Sequence, residues 1–230
     1  MAAPVLDFWF DFASTYSYLA AVRIGPLAAT ADVRVRFRPF LLGPIFKAQG
    51  WDTSPFNLYP AKGRYMWRDM ERLAADLALP LKRPDPFPQN SLLAARVALA
   101  GLGQDLAEQD LAEQDLAEQD LAEQDLAEQG WGQDFSVAVF RAEFAEARRI
   151  DDPATLTEIL SGMNVDAKAA FEAAQSDGNK LRLRAQTEEA QRLGIFGAPT
   201  FTTADGELFW GNDRLERAVA WAARGRSQPA

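Results

Sequence analysis

The stretch FDFASTYSYLA, Phe10 to Ala20, places Ser14 and Ser17 on either side of Thr15 and Tyr16, where a short aromatic run gives way to helical patterning. In many redox proteins a Cys-x-x-Cys pair occupies such a strand-to-helix turn, because the amides and dipole of a helix N-terminus favour a thiolate. This chain has no cysteine in its 230 residues. A serine hydroxyl at that point can donate a hydrogen bond to a bound thiolate but cannot supply one. The plainer role for an isolated Ser at a helix start is capping, which the residue type alone favours.

Two further stretches could converge on the first. In FGAPTF, Phe196 to Phe201, Pro199 precedes a strand-like run. A cis Ala198–Pro199 bond would turn the Ala198 amide and carbonyl outward to pair with an extended peptide ligand, although the dipeptide by itself supports only a trans turn. In WGNDRL, Asn212 and Asp213 open the last helical pattern. Amide donors and a carboxylate there could hold the amino-acid end of a ligand, and a capped helix with Asp in its first turn is equally economical.

Composition narrows the chemistry sharply. Zero Cys excludes disulfides, thiolate catalysis by the chain itself and Cys-ligated metals. Zero His excludes a Ser-His-Asp triad and argues against a zinc hydrolase. What remains is hydroxyls, carboxylates, amines, backbone dipoles or a borrowed reagent, and no metal is expected. The apolar start lacks a basic n-region and is interrupted by Asp7 and Asp11, so it does not read as a signal peptide. No apolar run approaches the ~18 residues of a membrane span. A cytoplasmic protein without membrane partners is the expectation.

The net charge of −9 belongs to one segment. From Gln104 to Glu128 the chain reads QDLAE five times, and without it 23 acidic residues face 24 basic ones. On a helix a five-residue step advances ~500°, so Leu106, Leu111, Leu116, Leu121 and Leu126 spiral around the axis instead of forming a seam. A tandem expansion inserted into a helical region is the expected nature of the repeat.

Around it, strands sit at the ends and helices in the middle. VLDFWFDF (5–12) is nearly continuous in apolar residues, as a buried strand should be. VRVRFRPF alternates Val33, Val35 and Phe37 with Arg34, Arg36 and Arg38, which predicts a second strand with a wet arginine face and not a nucleic-acid surface. The helical pattern between them predicts a parallel β-α-β unit. No convincing strand appears from about 62 to 194. Strand character then returns as a hairpin around ADG, followed by a helix with Asn212 as its N-cap. The fold class predicted is α/β, a domain interrupted by an inserted all-helical domain.

With FDFASTYSYLA, PAKGRYMWRDMERLA, FGAPTF and WGNDRL in this order, the chain resembles the 2-hydroxychromene-2-carboxylate isomerase and kappa-class glutathione transferase family, a branch of the DsbA-like thioredoxin superfamily. The resemblance covers all but the QDLAE block. It implies a thioredoxin-like domain formed by 1–58 and 190–227, split by a helical domain over 59–189 that contains the repeat. Reduced glutathione is the implied cofactor, bound between the two parts. Ser14 would hydrogen-bond its sulfur, Ala198 beside cis Pro199 would pair with the cysteinyl backbone, and Asn212 and Asp213 would hold the γ-glutamyl end. Lys62 would lie near the glycine carboxylate or an anionic substrate, and Asn57 would correspond to an Asn contacting substrate and glutathione. Thr15 stands where the family usually has Pro, a change that removes no donor. A homodimer is implied by the family alone.

The activity implied is glutathione-dependent interconversion of 2-hydroxychromene-2-carboxylate and trans-o-hydroxybenzylidenepyruvate, by thiolate addition, bond rotation and elimination. A kappa-like transferase or peroxidase acting on another electrophile uses the same thiolate and stays open, as does a non-catalytic glutathione-binding module. Phe8, Trp9, Phe40 and Trp67 would suit a flat aromatic substrate, but such residues more often build core.

Overall fold

The computed structural model of the chain describes residues 3–115 and 130–224, with the backbone alone for 104–115. The elements run β1 (Val5–Phe10), α1 (Thr15–Thr30), β2 (Arg34–Pro39), α2 (Leu42–Ala48), α3 (Pro55–Leu58), α4 (Pro60–Asp76), α5 (Leu92–Asp115), α6 (Gly132–Phe144), α7 (Pro153–Gly162), α8 (Ala167–Gln175), α9 (Asp177–Arg192), β3 (Thr200–Thr203), β4 (Leu208–Trp210) and α10 (Leu215–Arg224). The sheet order is β2-β1-β3-β4, with β1 and β2 parallel and the other pairings antiparallel. The expected β-α-β unit, the helical middle and the terminal hairpin are all present. The α/β domain is thioredoxin-like and carries its helical insertion between β2 and β3.

Because side chains alternate across a strand, β1 feeds both faces of the sheet. Leu6, Phe8 and Phe10, continued by Phe12, point into the main core, where Phe8 stacks between Phe10 and Phe201 and meets Phe37 edge-on. Phe140 of α6 lies 4.9 Å from Phe12 and 5.6 Å from Phe10 between ring centroids, so the insertion shares this core with the sheet. Trp9 points the other way, into a smaller cluster with Phe40, Ile45, Ala190 and Ile195. Its Nε1 donates to Thr202 Oγ1 at 2.9 Å.

The arginine face of β2 is wet at Arg34, partly so at Arg36, and departs from expectation at Arg38. Arg36 is ion-paired to Asp7, and Arg38 donates to Glu189 of α9 at 2.5 Å while lying over the Trp9 ring at 4.6 Å. Helix α9 covers the Arg38 end of this face, so Arg38 is largely buried, not wet, and burial lowers its pKa. The repeat enters α5, whose helix continues to Asp115, and the remainder of the QDLAE block lies outside the described residues.

Candidate active site

Strand β1 delivers the chain to a tight turn over Asp11–Ala13, after which Ser14 begins α1. Ser14 has extended backbone (φ −91°, ψ 114°), and its Oγ accepts from Ser17 N at 3.3 Å, so the capping role is real. The first-turn amides of Thr15 and Tyr16 have no intrahelical acceptor and point toward whatever lies beyond the helix end. What lies there is the 196–199 loop. The Ala198–Pro199 bond is cis, and the Ser14 hydroxyl donates to Ala198 O at 3.0 Å across 184 residues of sequence.

Packing of that loop depends on two glycines. A Cβ on Gly197 would come within 2.6 Å of Trp210 Nε1, so the loop can lie against β4 only without a side chain there. Gly211, at φ +106°, takes a backbone conformation open mainly to glycine and donates its N–H to Pro199 O at 2.9 Å. This pair of constraints brings the WGND segment beside Ala198.

The structure therefore gathers Ser14, Ala198, Asn212, Asp213 and Lys62 around one cleft of about 1290 Å³, with Pro199 directly behind Ala198. Asn212 does not act as the expected helix cap. It is buried in a short 3-10 turn (Asn212–Arg214) ahead of α10, and its Oδ1 accepts from Arg23 Nη1 at 3.0 Å, because Arg23 of α1 reaches across to it and to Glu216. Asp213 is exposed and paired with Arg214 at 2.9 Å. Lys62 sits in the first turn of α4 with its Nζ 4.7 Å from the Tyr59 ring centroid.

Asn57 is not brought to this cleft. It donates to Thr53 Oγ1 at 3.3 Å and lines a separate cavity of about 530 Å³ together with Trp67, Arg64, Arg68 and Arg83. Trp51, Asp52 and Thr53 line the cleft instead. Phe8, Trp9 and Phe40 are fully buried core, and the aromatic wall of the cleft is made by Tyr16, Phe46, Trp51, Phe56, Tyr65 and Phe87.

Two polar groups of the cleft lay outside the sequence-based selection. Tyr16 donates to Asp69 Oδ2 at 3.0 Å, Asp69 Oδ1 accepts from Arg72 at 3.0 Å, and burial followed by the Asp69 bond pushes the Tyr16 phenol well above its ordinary range. Asp11 is buried at the floor, and burial drives its carboxyl upward against three hydrogen bonds. Asp11 stands three residues before Ser14, but Leu42, which donates to its carboxylate, is 31 residues away in sequence. Asp69 likewise reads as one more charge on an amphipathic helix.

A β-α-β start, the 196–199 loop abutting the N-terminus of α1 and a helical insertion between β2 and β3 define a thioredoxin-like fold with Ser14 at the start of its first helix. A family model described as a DSBA-like thioredoxin domain matches residues 5–129 and 121–220, and the chain belongs to that family. A 2-hydroxychromene-2-carboxylate isomerase of Sphingobium xenophagum is 30% identical over 213 residues, 92% of this chain and 94% of the relative. Glutathione S-transferase kappa 1 of Homo sapiens is 26% identical over 220 residues, 92% and 87% of the two chains. A solved 2-hydroxychromene-2-carboxylate isomerase matches with a TM-score of 0.73 at 26% identity, over 97% of this chain and 98% of that one. These relatives set the protein, as an enzyme, in the isomerase and kappa-transferase branch of the family.

Proposed function

We propose that this protein is a glutathione-dependent isomerase interconverting 2-hydroxychromene-2-carboxylate and trans-o-hydroxybenzylidenepyruvate. The observation that carries the reading is the joint between Ser14 Oγ and Ala198 O, 3.0 Å apart in a large cleft, in a chain with neither Cys nor His. Donors at a helix N-terminus, an outward backbone edge and one cation suit a small anionic thiol peptide. Glutathione, when bound, supplies a nucleophilic sulfur for reversible conjugate addition to the unsaturated 2-oxo acid.

The chain's own work is electrostatic and positional. Ser14 turns its hydroxyl proton from Ala198 O toward the sulfur, and the first-turn amides of α1 add their positive potential. Ala198, released from Ser14, offers its carbonyl and amide to the cysteinyl backbone beside Pro199. Asn212 and Asp213 take the γ-glutamyl end, and Lys62 neutralises a carboxylate. The aromatic wall seats a flat substrate and limits water, which strengthens each of these interactions. Asn57, lining the other cavity, has no part in the proposal.

A spectrophotometric assay of the chromene with and without reduced glutathione tests the reading. Conversion that needs only catalytic glutathione supports it, and saturable glutathione binding without conversion sinks it. The size and apolar lining of the cleft favour a second reading, a kappa-type transferase, which an activated aryl halide would reveal by net consumption of glutathione. Replacing Lys62 with Met is expected to raise KM for glutathione or substrate about fivefold at most with kcat within about twofold, since Lys62 is exposed and an exposed ion pair is worth up to about 1 kcal/mol. Initial-rate kinetics check this. The same kinship extends the proposal to a cytoplasmic homodimer: sedimentation analysis of the purified chain tests the dimer, and cell fractionation tests the compartment.

A further inference from the structure

Asp11 is 4% exposed at the floor of the cleft. Its Oδ1 accepts from Ala13 N at 2.9 Å and its Oδ2 from Leu42 N at 2.7 Å, and the Ser91 hydroxyl is near enough to favour the charged form of the same carboxyl as a donor. The three donors belong to separate segments: the turn leading into Ser14, the first residue of α2, and the residue just before α5. All three segments line the cleft. The Asp11 carbonyl also accepts from Ser14 N at 2.9 Å.

Glu143 of α6 stands close enough to feel the Asp11 charge, fully buried, with neither carboxyl oxygen given a hydrogen-bond partner. A carboxyl surrounded by donors is satisfied as an anion, and one with no donor is not. The charged groups acting on Glu143 are Asp11 and Asp151, both acidic, and they add to burial in holding its proton.

We propose that Asp11 is the positioning residue of this cleft, a single buried carboxylate that fixes the Ser14 turn against the α2 wall and the start of α5. Glu143, buried without a donor for either oxygen, is the neutral member of the two carboxyls, and Asp11 is the anion. When Glu143 ionises, two buried anions face each other and the three-way tie loosens.

Amide hydrogen exchange of Ala13 and Leu42, read by NMR on the ligand-free protein, tests the tie. Calorimetric titration with reduced glutathione tests its consequence, and that second arm rests on the function proposed above. In D11N both amides are expected to exchange at least tenfold faster and the glutathione Kd to rise about tenfold, as for loss of charge-assisted hydrogen bonds. S91A, which removes one donor and keeps the carboxylate, gives a smaller change of the same sign in both. E143Q keeps amide protection at alkaline pH, where the wild type loses it. Wild-type exchange rates at both amides in D11N overturn the role of Asp11, and the same holds for S91A if D11N does not fold. An identical alkaline loss in E143Q and wild type overturns the role of Glu143. A wild type that binds no glutathione removes the proposed function and leaves the exchange measurements to decide Asp11.

Discussion

Replacing Ser14 with Ala is expected to lower the isomerisation rate about 100-fold while leaving the fold intact. A hydrogen bond to a charged group contributes about 1.5–3 kcal/mol, which at the upper end is a factor of 100. The bound thiol should accordingly titrate about one to two pH units higher, because the thiolate has lost a donor and the neutral thiol has not. The structural side of the substitution is small. Ser14 also accepts from Ser17 N, and losing an N-cap costs about 1 kcal/mol. Its donation to Ala198 O disappears as well, leaving that carbonyl to the cleft. Thiolate absorbance against pH, followed in both proteins with bound glutathione, separates the two sides. Superimposable profiles would rule out Ser14 as the sulfur's donor, whatever happens to the melting temperature. S14T, which keeps a hydroxyl on the same backbone, should recover most of the activity.

Glu143→Gln is expected to stabilise the protein, increasingly so as the pH rises. Burial, then the charges of Asp11 and Asp151, hold the folded-state pKa of Glu143 well above its ordinary value of 4.5. Between the unfolded and folded values the native state binds more protons than the unfolded state, so stability falls with rising pH. The contribution of the neutral form is complete below the unfolded value and is lost as the pH climbs through the folded one. The slope approaches about 1.4 kcal/mol per pH unit within that window. Glutamine does not titrate, so its curve lacks this descent apart from a lesser relief of Asp11. Urea unfolding of both proteins from pH 5 to 9 should show curves that meet at the acid end and diverge toward the alkaline end. Parallel curves would mean that Glu143 is ionised in the folded protein, with a partner supplied by rearrangement.

Much of the architecture was legible because it follows from short-range patterning. The continuous apolar run of β1, the Val/Arg alternation of β2 and the ADG hairpin each announce a strand with its own period, and all three are strands. Ser14 was legible as a cap from its type and place, and Ser14, Ala198, Lys62, Asn212 and Asp213 do meet at one cleft. Asn57, assigned to the site by the resemblance alone, lies within the short helix α3 and lines the smaller cavity instead. The wet face expected for Arg34, Arg36 and Arg38 failed at Arg38 alone. Alternation tells which side chains share a face, but α9, some 150 residues later, decides that the Arg38 end of this face is covered.

By itself the sequence determined the chemistry that this protein cannot do. With no Cys and no His, neither a redox thiol nor an imidazole base is available, and any thiol must arrive with a ligand. It also determined the strands, the helical middle and the segregation of negative charge into the repeat, since these depend on composition and local period. Only the tertiary structure decided that Ser14 donates to Ala198, that Arg23 claims Asn212, that Leu42 donates to Asp11, and that Glu143 is buried without a hydrogen-bond partner. Hydrogen bonds of this kind join residues 31 to 189 positions apart. Their geometry is set by how the sheet and helices pack, and burial then shifts the carboxyls that end up inside, which no local pattern encodes.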